Sequence, residues 1–248
     1  MHEAAYRELG IDAVYQRLPI PPELFAETVR ALPGSGFAGI NVTIPHKHAA
    51  AEIADRKSAA VVAIGAANTL TFRSGEIHAE NTDAPGLIAA LEEDLSGKKT
   101  LILGAGGTAR AAVWALQNAG AHVEIHNRTP ERAAKLADEF GAQVAFETAG
   151  GSGFDLIVNT TAVGMDAETS EQEALTALGL NISEIDRSAQ IVDFVYRTGG
   201  SPLATAARGA GISVIEGDKL LARQGALSFE HWFGREAPLE TMRRAIAS

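Results

Sequence analysis

Lys47 stands just past an apolar run, Gly39 to Ile44, that Pro45 must end, and a carboxylate, Asp83, opens a later helical stretch. An ammonium can hand a proton to an oxygen that is gaining negative charge, and a carboxylate beside it can hold that ammonium in place. A lysine at a helix start is as readily an ordinary solvated residue, and its spacing alone does not choose between the two. His46 and His48 flank it but sit two apart, so they do not share a helix face, and neither is followed by a second histidine at the spacing of HExxH. No metal site is expected.

The second group is a glycine loop, "GAGGTA", made of Gly104, Ala105, Gly106, Gly107, Thr108 and Ala109. An apolar strand precedes it and an alanine-rich helix follows. Gly104 permits the tight turn, Gly106 lets backbone approach a pyrophosphate, and Ala109 lets helix pack closely on strand. The helix start adds free N–H groups and the positive end of a dipole. The following strand, "AHVEIH", ends in Asn127, Arg128 and Thr129, with Arg132 one turn on. No carboxylate stands there to bind ribose hydroxyls. Two guanidiniums and a hydroxyl suit a 2'-phosphate, which makes NADP(H) the expected cofactor. Thr129-Pro130 also opens a helix well, so Arg128 is the residue whose functional reading is preferred.

The elements that must place these groups alternate. "HEAAYREL" reads as helix, "DAVYQRL" as strand, "PPELFAETVRAL" as a proline-opened helix and "GFAGINVTI" as strand. Residues 48–63 read as one helix, then "ANTLTFRSGEIHAENTD" as two strands about a Ser-Gly turn. From Lys98 a βαβ unit begins, with later strands at "FDLIVNTT", "AQIVDFVY" and "ISVIEG" and a helical tail from Asp218 to Ala247 broken near Gly234 and Pro238. The pattern predicts an α/β protein of two domains: a mixed substrate domain over 1–82 and 217–248, and a Rossmann-like dinucleotide domain over 83–216. The C-terminal helices return to the substrate domain.

Composition sets limits. The 248 residues are 46% hydrophobic, carry a formal net charge of -10 and contain no cysteine. The acidic balance argues against nucleic acid or an anionic membrane surface as partner. Disulfides and thiol chemistry are excluded, which suits a cytoplasmic location. The start, "MHEAAYRELG", has neither the basic residues nor the apolar stretch of a signal peptide.

Several segments together resemble the shikimate dehydrogenase family: "NVTIPHK", "GAANTL", "ENTDAPG", "GAGGTARAA", "NRTPERAAKLA", "NTTAVGM", "VDFVY" followed by "SPL", and "RQGALSFEHWFG". They occur in family order over nearly the whole chain. The resemblance implies that Lys47 is the proton-transfer residue, with Asp83 its partner. It implies substrate contacts from Thr43, Asn68, Asp83, Tyr196 and Gln224, and a nicotinamide site near Thr160, Phe194 and Gly217. The implied reaction interconverts 3-dehydroshikimate and shikimate with NADP(H), by a monomer or homodimer with small-molecule partners only. An NAD-preferring quinate/shikimate dehydrogenase and a catalytically silent homologue are the alternatives. The chain departs from the family pattern at Leu220-Leu221, in "YRTGGSPL", and at its start, where the family has a strand and a loop with two serines. From this, Met1 is expected to be an internal methionine of a longer chain, whose further strand lies between "DAVYQRL" and "GFAGINVTI".

Overall fold

A computed structural model describes residues 1–148 and 150–247. The chain divides into two compact units, Met1–Gly86 with Ala222–Ser248, and Leu87–Leu221.

The first unit opens with helix α1 (His2–Leu9), which Gly10 ends in the left-handed conformation that suits a residue without Cβ. Residues 12–18, expected to form a strand, do not. Val14 and Leu18 are exposed while the Tyr15 ring stacks on His2 at 4.5 Å. Alternation is half of what a strand needs; the other half is a backbone ladder, and no strand among the described residues pairs with this stretch. The prolines at 21 and 22 first form a 3-10 turn, Pro22–Leu24, before helix α2 (Phe25–Ala31). Strand β1 (Gly39–Asn41) is shorter than its apolar run.

The single helix expected over 48–63 is two, α3 (Lys47–Ile53) and α4 (Ala59–Ile64), with a two-residue strand β2 (Arg56–Lys57) between them. Asp55 makes the break: its N–H donates to the Ile77 carbonyl at 2.9 Å and its carboxylate accepts the Ile77 N–H at 2.8 Å. Ser58 then caps α4, accepting the Val61 N–H. Strands β3 (Thr69–Arg73) and β4 (Glu76–Glu80) form the hairpin about Ser74-Gly75. The sheet order is β1-β3-β4-β2, with β2 parallel to β4 and the other pairs antiparallel.

Helix α5 (Asp83–Leu91) leads into the second unit. There β5 (Lys99–Leu103), α6 (Gly107–Asn118) and β6 (His122–His126) form the βαβ unit. Helix α7 (Pro130–Phe140), strand β7 (Gln143–Val144), strand β8 (Leu156–Asn159), helix α8 (Glu171–Leu178), strand β9 (Gln190–Asp193), helix α9 (Pro202–Ala210) and strand β10 (Ser213–Ile215) follow. The six strands are parallel in the order β10-β9-β8-β5-β6-β7. Apolar clusters cover both faces, one around Ile102, Leu116 and Val158, the other around Leu101, Ile157 and Ile191. Strand order reverses between β5 and β8, the place where open parallel sheets bind ligands. The two-residue β7 was not foreseen.

Helices α10 (Gly217–Phe233) and α11 (Leu239–Ala247) close the chain. Phe229 and Met242 from them pack with Ala5 and Tyr6 of α1 in the first unit. The boundary between the units falls inside α5 and α10.

Candidate active site

Lys47 is the first residue of α3, and neighbouring groups hold that turn in place. Its own carbonyl accepts the Ala67 N–H at 2.8 Å. The His46 ring lies flat against Phe25, 4.5 Å between centroids, and its Nε2 donates to the Ile20 carbonyl. His48 Nδ1 likewise donates to the Gly65 carbonyl. A carbonyl can only accept, so each imidazole presents a protonated nitrogen there, and both histidines serve the backbone. Among the described residues no group of His, Cys, Asp or Glu could hold a metal ion.

The Lys47 ammonium donates to Asp83 Oδ2 at 2.6 Å, with the lysine 9% and the aspartate 6% exposed. Asp83 is the first residue of α5, where the helix dipole favours a carboxylate. Its other oxygen, Oδ1, accepts from Asn68 Nδ2 at 2.9 Å. Asn68 is oriented from behind: its Oδ1 accepts the Thr82 N–H at 2.7 Å, which turns the amide nitrogen toward Asp83. The same nitrogen lies 3.2 Å from Gln224 Oε1. Gln224 on α10 can come this close because Gly86 faces it, where a Cβ would stand 3.3 Å from the Gln224 backbone nitrogen.

Behind these groups lies a cluster of buried hydroxyls centred on Ser228, one turn after Gln224. Ser228 Oγ donates to the Gln224 carbonyl and accepts from Asn41 Nδ2 at 2.8 Å. It also lies 2.7 Å from Thr69 Oγ1 and 3.3 Å from Thr82 Oγ1. Tyr15 donates to Asn41 Oδ1 at 2.9 Å. Satisfied buried polar networks of this kind fix side-chain positions. Together they hold a nearly dry proton donor, paired with one carboxylate, in a single orientation.

In the second unit Gly104 has φ 115, and a Cβ there would stand 2.6 Å from Thr160 Oγ1. Where Gly106 would carry a Cβ there is open space, so a ligand can approach its backbone. Gly107 begins α6, Thr108 is buried at its first turn, and Ala109 is sealed against the sheet. Ala105 packs against the same core. At the end of β6, Asn127 Nδ2 donates to the Thr129 carbonyl, Thr129 is the residue before α7, and Arg128 and Arg132 are exposed. Thr160 Oγ1 donates to the Leu103 carbonyl at 2.7 Å, and Phe194 is half-buried. A dinucleotide with a 2'-phosphate fits this set: an open glycine backbone, a helix start and two exposed guanidiniums, with no carboxylate in the Asn127-Arg128-Thr129 strand end itself.

Three models of the shikimate dehydrogenase family match the chain in order. The substrate binding domain covers residues 1–70, the shikimate/quinate 5-dehydrogenase domain 87–175, and the C-terminal domain 220–247. The shikimate dehydrogenase (NADP+) of Methanopyrus kandleri is 39% identical over 262 aligned positions, covering 99% of this chain and 89% of that one. The chain belongs to the shikimate dehydrogenase family. The crystal structure of the Thermus thermophilus enzyme in complex with NADP(H) and shikimate is 35% identical, with a TM-score of 0.86 over 99% of this chain and 91% of that one. That of the Aquifex aeolicus enzyme is 32% identical with a TM-score of 0.90, covering 100% and 91%.

Of the residues that family resemblance assigned to the substrate, Asn68, Asp83 and Gln224 come together around Lys47. Thr43 lies on the exposed turn after β1, where its carbonyl accepts the His46 N–H at 2.9 Å. Tyr196 is 40% exposed and belongs to the second unit. Gly217 begins α10, and a Cβ on it would stand 2.4 Å from the Val195 carbonyl. Sequence reasoning missed Asn41, Thr69, Thr82 and Ser228. Thr82 sits inside the quoted "NTD", and Ser228 lies four residues after Gln224, on one helix face with it, so both carried a readable signal.

Proposed function

We propose that this chain reduces 3-dehydroshikimate to shikimate with NADPH, and runs the reverse reaction with NADP, as a step of aromatic amino acid biosynthesis. The observation that carries the reading is the buried Lys47–Asp83 pair with Asn68 behind it. Bound NADPH supplies the hydride to the carbonyl carbon. Lys47 gives its proton to the carbonyl oxygen as negative charge develops there, and a new O–H bond replaces one N–H bond. Asp83 holds the ammonium on line, and Asn68 holds Asp83. After the step a neutral amine remains beside the carboxylate and takes a proton back from water. In the oxidation of shikimate the same amine accepts the hydroxyl proton.

Asn68 and Gln224 present amide groups suited to a ring that carries adjacent hydroxyls, and Thr43 and Tyr196 are assigned to it by resemblance. Gly104, Ala105, Gly106, Gly107, Thr108 and Ala109 would cradle the pyrophosphate, while Asn127, Arg128, Thr129 and Arg132 would hold the 2'-phosphate. Thr160, Phe194 and Gly217 would border the nicotinamide. The acidic chain without cysteine fits a reducing cytoplasm, where we place it as a monomer or homodimer; sedimentation distinguishes the two. Among the described residues no helix is long and apolar enough to cross a membrane.

The test is NADP reduction by purified protein with shikimate against quinate, repeated with NAD. Turnover with shikimate and NADP at least tenfold above every other pair is the expected result. Turnover with none of the pairs would reject the assignment.

A further inference from the structure

Asp193, the last residue of β9, is fully buried and takes no part in the chemistry above. Its Oδ1 accepts Asn159 Nδ2 at 2.9 Å and the Val195 N–H at 3.0 Å, and its Oδ2 accepts the Ser201 hydroxyl at the start of α9. Asn159 is its register partner at the end of the adjacent strand β8. The Asn159 Oδ1 accepts both the N–H and the hydroxyl of Thr161, and Thr161 Oγ1 accepts the Val163 N–H. One carboxylate therefore ties together the two loops that leave the C-terminal ends of β8 and β9. The loop after β9 is also where the backbone of Gly217 closes on Val195. Thr160, between Asn159 and Thr161, reaches back to the strand end before the glycine loop.

These loops lie on one side of the point where strand order reverses, and Arg128 lies on the other, after β6. A dinucleotide crossing that point with its 2'-phosphate at Arg128 must put its nicotinamide half over β8 and β9. We propose that Asp193 is a positioning residue for the nicotinamide half of the cofactor cleft, fixing the 160–163 and 194–196 loops as one surface through Asn159, Val195 and Ser201. The inference rests on the NADP(H) reading above. Burial pushes the Asp193 carboxyl up to about 6, against the pull of the Ser201, Val195 and Asn159 donors. The charge of Glu216 adds to that rise, and Glu216 is itself bonded to Arg208 of α9. No cation is bonded to Asp193 among the described residues. A carboxylate kept ionised in such a place is dear to the fold and strong as an acceptor.

The experiment measures binding of NADPH and of 2',5'-ADP, the adenine half alone, to the parent and to Asp193→Asn at pH 8, together with the thermal midpoint. Asp193→Asn keeps the shape and removes the charge. We expect NADPH to weaken about tenfold, the size expected when charge-assisted bonds become neutral ones, with 2',5'-ADP unchanged within twofold and the thermal midpoint at or above the parent's. The ratio of the two proteins' NADPH dissociation constants should shrink toward one below about pH 6, with titration of the cofactor's own phosphate cancelling in the ratio. Thr161→Val, which removes the partly exposed hydroxyl that bonds Asn159 and accepts the Val163 N–H, should show the same split between the two ligands at a smaller, about threefold, size. It serves if Asp193→Asn does not fold. Equal weakening of both ligands, unchanged NADPH binding, or a lowered thermal midpoint with unchanged binding would each overturn the proposal. Failure of the parent itself to bind NADPH would instead overturn the cofactor reading.

Discussion

Replacing Lys47 does two things at once, and a second substitution separates them. In Lys47→Met the ammonium is gone while Asp83, 6% exposed, keeps its charge with Asn68 as its remaining donor in the Lys47–Asp83–Asn68 set. Breaking a buried pair from one side costs about 3 to 5 kcal/mol, and a retained hydrogen bond to the charge offsets about 1.5 to 3 of that. The single variant should therefore unfold about 1 to 3 kcal/mol more easily in urea. In the double variant Lys47→Met with Asp83→Asn neither charge of the pair is left buried, and stability should return to within about 1 kcal/mol of the parent. Turnover should not return: both variants should run about 10²- to 10⁴-fold slower, the usual worth of a positioned proton donor, with a smaller change in KM. Urea titration and NADP reduction at saturating shikimate measure the two quantities. If the double variant recovers activity along with stability, Lys47 supports the fold and another group moves the proton.

Arg128→Ala should weaken NADPH far more than NADH in fluorescence titration, since only the former carries the 2'-phosphate; equal losses would make the residue structural. Gly39→Ala should cost several kcal/mol, because its Cβ would stand 2.2 Å from Trp232 Nε1, whose donation to the Leu70 carbonyl it must displace; an unchanged denaturation midpoint refutes this. For Asp193 the folded value of about 6 lies above the ordinary 3.8, so between those values the folded chain holds a proton the unfolded chain has released. Its contribution to stability is then full below about pH 4 and falls by up to about 3 kcal/mol as pH rises through 6. Asp193→Asn should remove that fall, read as the parent-minus-variant difference in unfolding free energy from pH 4 to 8, and a flat difference would count against it. His2 slopes the other way: burial first, then the amino-terminal charge, lowers it to about 4, so its share of stability is lost as pH falls from about 6.5 to 4. His2→Leu should flatten that part of the same curve, and an unaltered slope would contradict the assignment.

What was legible in the sequence, and what was not, follows from where each signal resides. The glycine loop and the strand ends of the second unit are local: an apolar run, a turn and a helix specify their own geometry within a few residues of one another. Lys47 and Asp83 were legible as candidates because a proline and a helix start each put a polar group at an element's end. The strand expected at 12–18 failed because pairing is a property of two segments, and alternation within one segment does not supply the other. The helix over 48–63 failed at Asp55, whose partner, Ile77, lies 22 residues away. Asp193 could have been noticed: a carboxylate inside "IVDFV" has no apolar reason to be there. Its meaning depends on Asn159 and Ser201, whose roles appear only once β8 and β9 are side by side.

Ser228 bonds to Asn41, which precedes it by 187 residues, while the second unit is one uninterrupted stretch from Leu87 to Leu221. During synthesis, then, the nucleotide unit is complete and able to fold before the residues that finish the lysine site have been made. The early segments of the first unit must wait, their buried hydroxyls unanswered, until the last helices emerge. Any chain cut short in α10 between Leu221 and Ser228 would keep the whole second unit and lose the Ser228 hydroxyl that Asn41, Thr69 and Thr82 gather around. Translation order thus sets assembly order: the polar cluster behind Lys47 can close only after α10 has been made.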